Sequence, residues 1–356
     1  MAARTSLELG GDAAHFVAVE DVDELEAALA WARARGLPVT ILGGGSNVVV
    51  ADAGLEGLVI AMRLRGVEYL TRGARVQVNA MAGEPWDSFV AATVERDLAG
   101  LECLSGIPGL VGATPIQNVG AYGQEVSQTI VSVRVMNRES FEIRDLAAEA
   151  CAFRYRDSAL KRRPDRYVVL SVTFGLSLGG PPTVAYAELD RALQAHGHGP
   201  GGEGATLAEV RDEVLSLRAG KSMLLSAHDD NRRCAGSFFT NPIVAVADVE
   251  RVRALAVEQG LVADGAELPS YPMADGRVKL AAGWLVEHAG FSRGQRHGDF
   301  GISTKHALCL VHHGGGETAG LIALAREVRE AVADRFGVEL TPEPVFLGFA
   351  DGHPLS

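Results

Sequence analysis

Apolar positions along this 356-residue chain recur at helical spacing in some stretches and alternate as strands do in others. Val22, Leu25, Leu29 and Trp31/Ala32 mark one face of a helix that Asp21 and Glu24 open as a capping box and that ends near Gly36 and Pro38. A second helix is predicted near 86–96. A third follows Thr206 and Glu209, another capping pair, with Leu207, Val210, Val214 and Leu217 facing inward. A fourth runs from about 317 to 336 on the stripe Leu321, Leu324, Val328 and Val332. Residues 39–42 read as a buried strand, the β-branched run 48–50 as another, and alternation predicts strands around 74–80, 131–136 and 167–174. Gly179-Gly180-Pro181-Pro182 punctuates the chain as a candidate domain boundary, and the glycine-rich stretch 194–205 reads as a flexible linker. No repeat occurs, and the mixture is α+β.

The most informative break is Gly43-Gly44-Gly45-Ser46-Asn47, set between two predicted strands. A Rossmann fingerprint needs strand, glycine turn and then helix. Here the glycines open into extended chain, so that reading fails on context. A second stretch holds Gly106, Gly109 and Gly112 at steps of three, then Gln117, Asn118, Gly120, Ala121, Tyr122 and Gly123. Such loops are either ordinary tight turns or nests whose backbone N–H groups converge on an anion. Two of them in one half favour a dinucleotide cofactor held by its pyrophosphate.

Composition narrows the partners. Hydrophobic content of 47% and charged content of 22% are globular, and the length fits about two domains, or three small ones. A net charge of −12 argues against nucleic acid and leaves any anionic ligand to local Arg and Lys side chains. The four cysteines are far apart without a CxxC pair, which argues against a zinc site or a disulfide framework and for a reducing compartment. The N-terminus has no apolar signal core and no run of 18 apolar residues occurs, so neither export nor a membrane span is expected. His196/His198 and His312/His313 lack the HExxH spacing of a zinc helix and read as solvent-exposed loop histidines, with no metal site expected.

Three further clusters carry candidate chemistry. FRYRDS at 153–158 is either a surface ion-pair cluster or an arginine site. In AGSFFTNP at 235–242, Ser237 beside a glycine lacks the context of a hydrolase nucleophile. Glu343, between Pro342 and Pro344, is either an exposed loop acid or a carboxylate on a stiffened backbone.

As a set these motifs resemble the UDP-N-acetylenolpyruvoylglucosamine reductase family. ILGGGSN (41–47), GIPGLVGATPIQNVGAYG (106–123), FRYRDS, AGSFFTNP, YPMADGRVKLAAGWLVEHAGF (271–291) and LTPEPVFLG (340–348) stand in family order over nearly the whole chain. The resemblance implies a vanillyl-alcohol-oxidase-type FAD-binding module of two lobes, expected over 1–70 and 71–193. It further implies an α+β substrate-binding domain over 206–335 and a C-terminal segment, 336–356, that packs back toward the flavin. It implies a cytoplasmic monomer that uses NADPH and FAD to reduce UDP-N-acetylglucosamine enolpyruvate, with no membrane partner.

Residue by residue, Gly43, Gly44, Gly45, Ser46 and Asn47, with Gly106, Ile107, Pro108, Gly109, Gly112, Ala113, Thr114, Gln117, Asn118, Gly120, Ala121, Tyr122 and Gly123, would surround FAD. By the same resemblance Ser237 would donate the proton, and Arg156 and Glu343 would polarise the substrate carboxylate. Tyr155, Arg218, Lys221, Asn241, Tyr271 and Lys279 would bind the UDP-sugar, and Tyr186 would close over the nucleotide. Arg218 and Lys221 stand three apart at a predicted helix end and can share one pocket. His306 occupies a position where some relatives carry an amide. Another oxidase or dehydrogenase of the same cofactor fold would need only the two glycine loops, and a nucleotide-sugar binding protein without flavin would be colourless.

Overall fold

Alternating and β-branched residues from Ala13 to Met62 build a three-stranded parallel sheet in the order Ala13–Val19, Leu55–Met62, Val39–Leu42. The helix Val22–Arg33 connects the two outer strands. Asp21 accepts from Glu24 N–H at 2.8 Å, as a capping box requires, but the Glu24 carboxylate reaches back to Glu20 N–H, one residue earlier than the motif predicts. The structure, a computed structural model, describes residues 1–273, 275–350 and 352–355. Ala274, inside the 271–291 motif, and Asp351 and Ser356, inside the expected C-terminal segment, lie outside the described residues.

A six-stranded antiparallel sheet follows, its main path running Ile143–Ala147, Ile130–Asn137, Tyr167–Leu178, Arg75–Met81, Val67–Arg72. Trp86, Phe89 and Phe174 pack at centroid distances of 5.2 to 6.0 Å in its core. Each such side chain contributes roughly 1.5–3 kcal/mol through burial.

Two compact units result. One comprises 13–45 and 55–224, and the other 1–12, 46–54 and 225–356. Neither is continuous, because Val48–Val50, the extended run after the first glycine loop, pairs in parallel with Val345–Leu347. A linear partition at 70, 193 and 335 does not describe these units, since a pairing across almost 300 residues leaves no local trace. Gly179–Pro182 and 194–205 both lie inside one unit. The latter is no loose linker: Gly199 N–H bonds Glu203 O at 2.9 Å, Gly201 N–H bonds the Asp190 carboxylate at 2.7 Å, and Gly197, Gly201, Gly202 and Gly204 occupy positive-φ turn positions.

In the other unit the helix Thr318–Phe336 buries Leu321, Leu324, Val328 and Val332 as the stripe predicts. Asp52 accepts from Thr318 N–H and Ala319 N–H at its start, and Gly337 ends it at φ +60°. His312 is buried rather than exposed: its ring stacks on Phe300, and its nitrogens sit 2.9 Å from Leu7 O and 2.5 Å from Gly315 O. Among the described residues no helix is long and apolar enough to cross a membrane.

Candidate functional site

The two glycine loops touch. A Cβ on Gly44 would lie 2.7 Å from Gly109 Cα, and one on Gly43 would lie 3.7 Å from the Ala113 methyl. Only glycine permits that approach at residue 44, which leaves two runs of backbone amides side by side with no side chain between them. The donor set is neutral, small and backbone-rich, and it fits the pyrophosphate of a dinucleotide. The second loop is anchored from behind. Trp86 N–H bonds Gly109 O at 3.0 Å, Gly112 N–H bonds Ala82 O at 2.9 Å, and Gly106 N–H bonds the Asp87 carboxylate at 2.6 Å.

Further along, Thr114 and Asn118 are buried and committed to the fold. The Thr114 hydroxyl donates to Val111 O; the Asn118 amide donates to Glu125 and to Arg154 O and accepts from Ser127 N–H. Gly120, Ala121, Tyr122 and Gly123 form a hairpin whose central pair, Tyr122 and Gly123, both have positive φ, as a type I′ turn demands.

FRYRDS folds as a tight turn followed by a cap. Arg154 and Asp157 exchange backbone hydrogen bonds at 2.9 and 3.1 Å, placing Tyr155 and Arg156 at the tip. Ser158 then accepts from Lys161 N–H to start a short helix. Three bonds fasten this turn to the glycine loop: Arg156 Nη2 to Gly120 O at 2.8 Å, Ser158 Oγ to Ile116 O at 2.5 Å, and Asn118 Nδ2 to Arg154 O at 3.1 Å. The arginine is therefore held to the loop expected to carry the cofactor.

A cationic cluster forms in the same unit. Arg218 continues the buried stripe Leu207, Val210, Val214 along its helix, so its guanidinium is drawn inside, where Nη2 bonds Met223 O at 2.8 Å. Lys221 lies 5.6 Å from the centre of the Tyr122 ring and pairs with Glu188, and Tyr122 meets Tyr186 edge-on at 5.5 Å. Burial pushes the Tyr122 phenol up to about 12; the Arg218 charge works against that rise and Glu188 adds to it.

Asp87 and Arg211, which the sequence reading did not single out, support this cluster. The guanidinium grips the carboxylate with two bonds of 2.6 and 3.0 Å while the same carboxylate holds Gly106. Burial pushes Asp87 up, but the Arg211 fork, the Gly106 N–H and the charges of Arg211 and Arg218 together outweigh it and hold the group below its ordinary 3.8. A carboxyl with a depressed folded-state pKa contributes its full stability above the unfolded value and loses it as pH falls through the folded value. Acidification below about pH 4 is therefore expected to lower the wild-type melting temperature more steeply than that of Asp87→Asn, followed by circular dichroism. Parallel profiles for the two proteins would remove the pair from the account.

The other unit gathers a second set. Phe238 and Phe239 are buried and stacked at 5.2 Å, which fixes the chain on either side. Phe238 N–H bonds Leu308 O at 2.7 Å, and Glu343 N–H bonds Phe238 O at 2.9 Å. Half-buried Ser237 thus precedes a residue directly bonded to Glu343. Asn47 completes the arrangement: its Nδ2 donates to Glu343 O at 3.3 Å and its carbonyl accepts from Val345 N–H at 3.0 Å. The carbonyl of Ser46 accepts from the Ser6 hydroxyl.

Tyr271 and Lys279 are direct cross-strand partners in a small antiparallel sheet. Asn241 accepts from Ala282 N–H at 2.9 Å, at the start of the helix Ala282–His288. His306 Nδ1 accepts from Leu308 N–H at 3.0 Å, beside the Phe238 contact. Glu188 and Ser158 were also missed as contributors. An acid in a helix's first turn and a serine before a helix have ordinary capping explanations, and only the three-dimensional partners show more.

Comparison with known proteins places these features in a group. A family model described as the UDP-N-acetylenolpyruvoylglucosamine reductase C-terminal domain matches residues 228–347, and one described as an FAD binding domain matches 13–144. The UDP-N-acetylenolpyruvoylglucosamine reductase of Saccharopolyspora erythraea is 49% identical over 98% of this chain and 95% of its own length. That of Thermobifida fusca is 49% identical over 97% and 95%. The crystal structure of the enzyme of similar name from Thermus caldophilus superposes with a TM-score of 0.65 at 23% identity, covering 98% of this chain and 97% of that one. The fold is α+β with a vanillyl-alcohol-oxidase-type FAD-binding module.

Proposed function

Because the chain belongs to the UDP-N-acetylenolpyruvoylglucosamine reductase family and is an FAD-dependent oxidoreductase, we propose that it reduces UDP-N-acetylglucosamine enolpyruvate to UDP-N-acetylmuramate with NADPH as reductant. The product feeds peptidoglycan synthesis, and the cytoplasm is the compartment where such a precursor is made. The observation that supports this reading most is the fastening of Arg156 to the second glycine loop through Gly120, together with the Ser158–Ile116 bond. It couples a carboxylate-binding cation to a pyrophosphate cradle.

Gly43, Gly44 and Gly45 with the 106–123 loop would hold FAD, which when bound takes a hydride from reduced nicotinamide and delivers one to the β-carbon of the enolpyruvyl ether. Charge then develops on the α-carbon and spreads into the carboxylate. Arg156 neutralises it with a planar fork, and Glu343 joins it in polarising the carboxylate. The Ser237 hydroxyl donates its proton to the α-carbon; a serine is a weak acid, but such an enolate is a far stronger base than a carboxylate. Arg218 and Lys221 bind the diphosphate, Tyr186 covers the nucleotide, and Tyr155, Asn241, Tyr271, Lys279 and His306 complete the substrate contacts.

Anaerobic mixing of the yellow protein with NADPH and then with the enolpyruvyl UDP-sugar tests the proposal. The flavin band is expected to bleach and then recover. A band that stays bleached after the sugar nucleotide is added would overturn it.

A further inference from the structure

The Lys221 ammonium does not stand open toward a ligand. It is 2.5 Å from a carboxylate oxygen of Glu188, with side-chain exposures of 26% for the lysine and 34% for the glutamate, so the pair is partly withdrawn from water. Three features make it displaceable. Lys221 follows the last turn of the helix Leu207–Ala219 on a long flexible stem, beside Ser222 at φ +55°, whereas neighbouring Arg218 is buried and bonded to Met223 O. Glu188 sits in the first turn of the helix Ala187–Ala195, where the helix dipole favours a carboxylate whether or not the lysine is present. The residue at the N-cap of that helix is Tyr186, which meets Tyr122 edge-on, and the Lys221 ammonium lies over the Tyr122 ring.

We propose that Glu188 is a positioning residue that holds Lys221 as a counter-ion in the ligand-free protein. A diphosphate displaces it, and the exchange releases the Tyr186 end of the helix Ala187–Ala195. This rests on the reading of Lys221 as a diphosphate contact given above. The carboxylate competes with the ligand for one cation, so nucleotide affinity is set below what the cation alone would give. In return, Tyr186 stays fixed until a phosphate arrives, which links closure of the tyrosine to the presence of the diphosphate.

The test is calorimetric titration of the flavin-loaded protein with UDP at low and high salt. Glu188→Gln is expected to bind UDP roughly two- to fivefold more tightly, the size of a partly exposed ion pair. Its affinity should also fall more steeply with salt, because a Lys221 without its internal carboxylate draws a counter-ion from solution that binding must release. Glu188→Asp, which keeps the charge, should move back toward wild type on both measures. In a Lys221→Ala background the Glu188→Gln effect should vanish. If Glu188→Gln binds UDP no better than wild type with the same salt slope while Lys221→Ala weakens binding, the latch is wrong and the nucleotide reading stands. If Lys221→Ala leaves UDP affinity intact, the premise about Lys221 falls and the latch falls with it.

Discussion

Replacing Ser237 by alanine is expected to leave a yellow protein that NADPH still bleaches and that the enolpyruvyl UDP-sugar no longer restores. The substitution removes one oxygen and little else. The backbone here is pinned by its neighbour, through Phe238 N–H to Leu308 O and Glu343 N–H to Phe238 O, and Phe238 and Phe239 stay buried. Gly236 before it, at φ +71°, faces open space. The fold and the placement of Glu343 therefore survive. What is lost is the O–H that, in the proposed reaction, meets the α-carbon as charge builds there.

Positioned general acids contribute about 10²–10⁴-fold. The effect at a carbon acid belongs at the upper end, because water admitted to the site is a poorly oriented substitute. Stopped-flow absorbance separates the half-reactions: the reductive phase keeps its rate constant, and the oxidative phase slows by that factor. Near-wild-type reoxidation would take the proton-donor role away from Ser237.

How much of this was legible before folding differs from residue to residue. The strand Val48–Val50 was readable because three β-branched residues favour extended chain, and that alone excluded a Rossmann turn. Its partner Val345–Leu347 was not, since register across such a separation is decided by tertiary contacts that leave no period in the sequence. The capping pairs at Asp21 and Thr206 announced their helices. The glycines at 194–205 misled for a physical reason: composition cannot tell a glycine that loosens a chain from one that occupies a left-handed turn position, as Gly201 and Gly204 do.

Resemblance alone pointed to Arg156, Ser237 and Glu343. Nothing in the pattern revealed that Gly44 would touch Gly109, that Ser158 would bond Ile116, or that Glu188 would meet Lys221. Those are pairings between elements, and single-residue chemistry is silent about them.

Arg156→Ala is expected to lose about 10²–10³-fold in turnover of the enolpyruvyl substrate, the usual loss when a preorganised group facing developing charge is removed. Affinity for UDP, which has no carboxylate, should be preserved. The geometry makes this residue hard to replace. Arg156 sits at φ +54°, a backbone conformation that non-glycine residues rarely adopt, and it is held there by the turn between Arg154 and Asp157 and by Nη2 bonding Gly120 O. A guanidinium carries five N–H donors in one plane, so a bond to Gly120 is compatible with a two-point grip on a carboxylate.

A lysine has a single nitrogen on a free stem. It can neutralise the charge but cannot keep the Gly120 contact and align both oxygens, so Arg156→Lys should fall between wild type and alanine in turnover rather than restore it. Steady-state kinetics with the enolpyruvyl sugar nucleotide, paired with UDP as a competitive inhibitor, distinguish the roles. A fall in turnover at unchanged inhibition by UDP places Arg156 at the carboxylate. Equal losses in both would assign it to the nucleotide, and an unchanged turnover would remove it from the reaction.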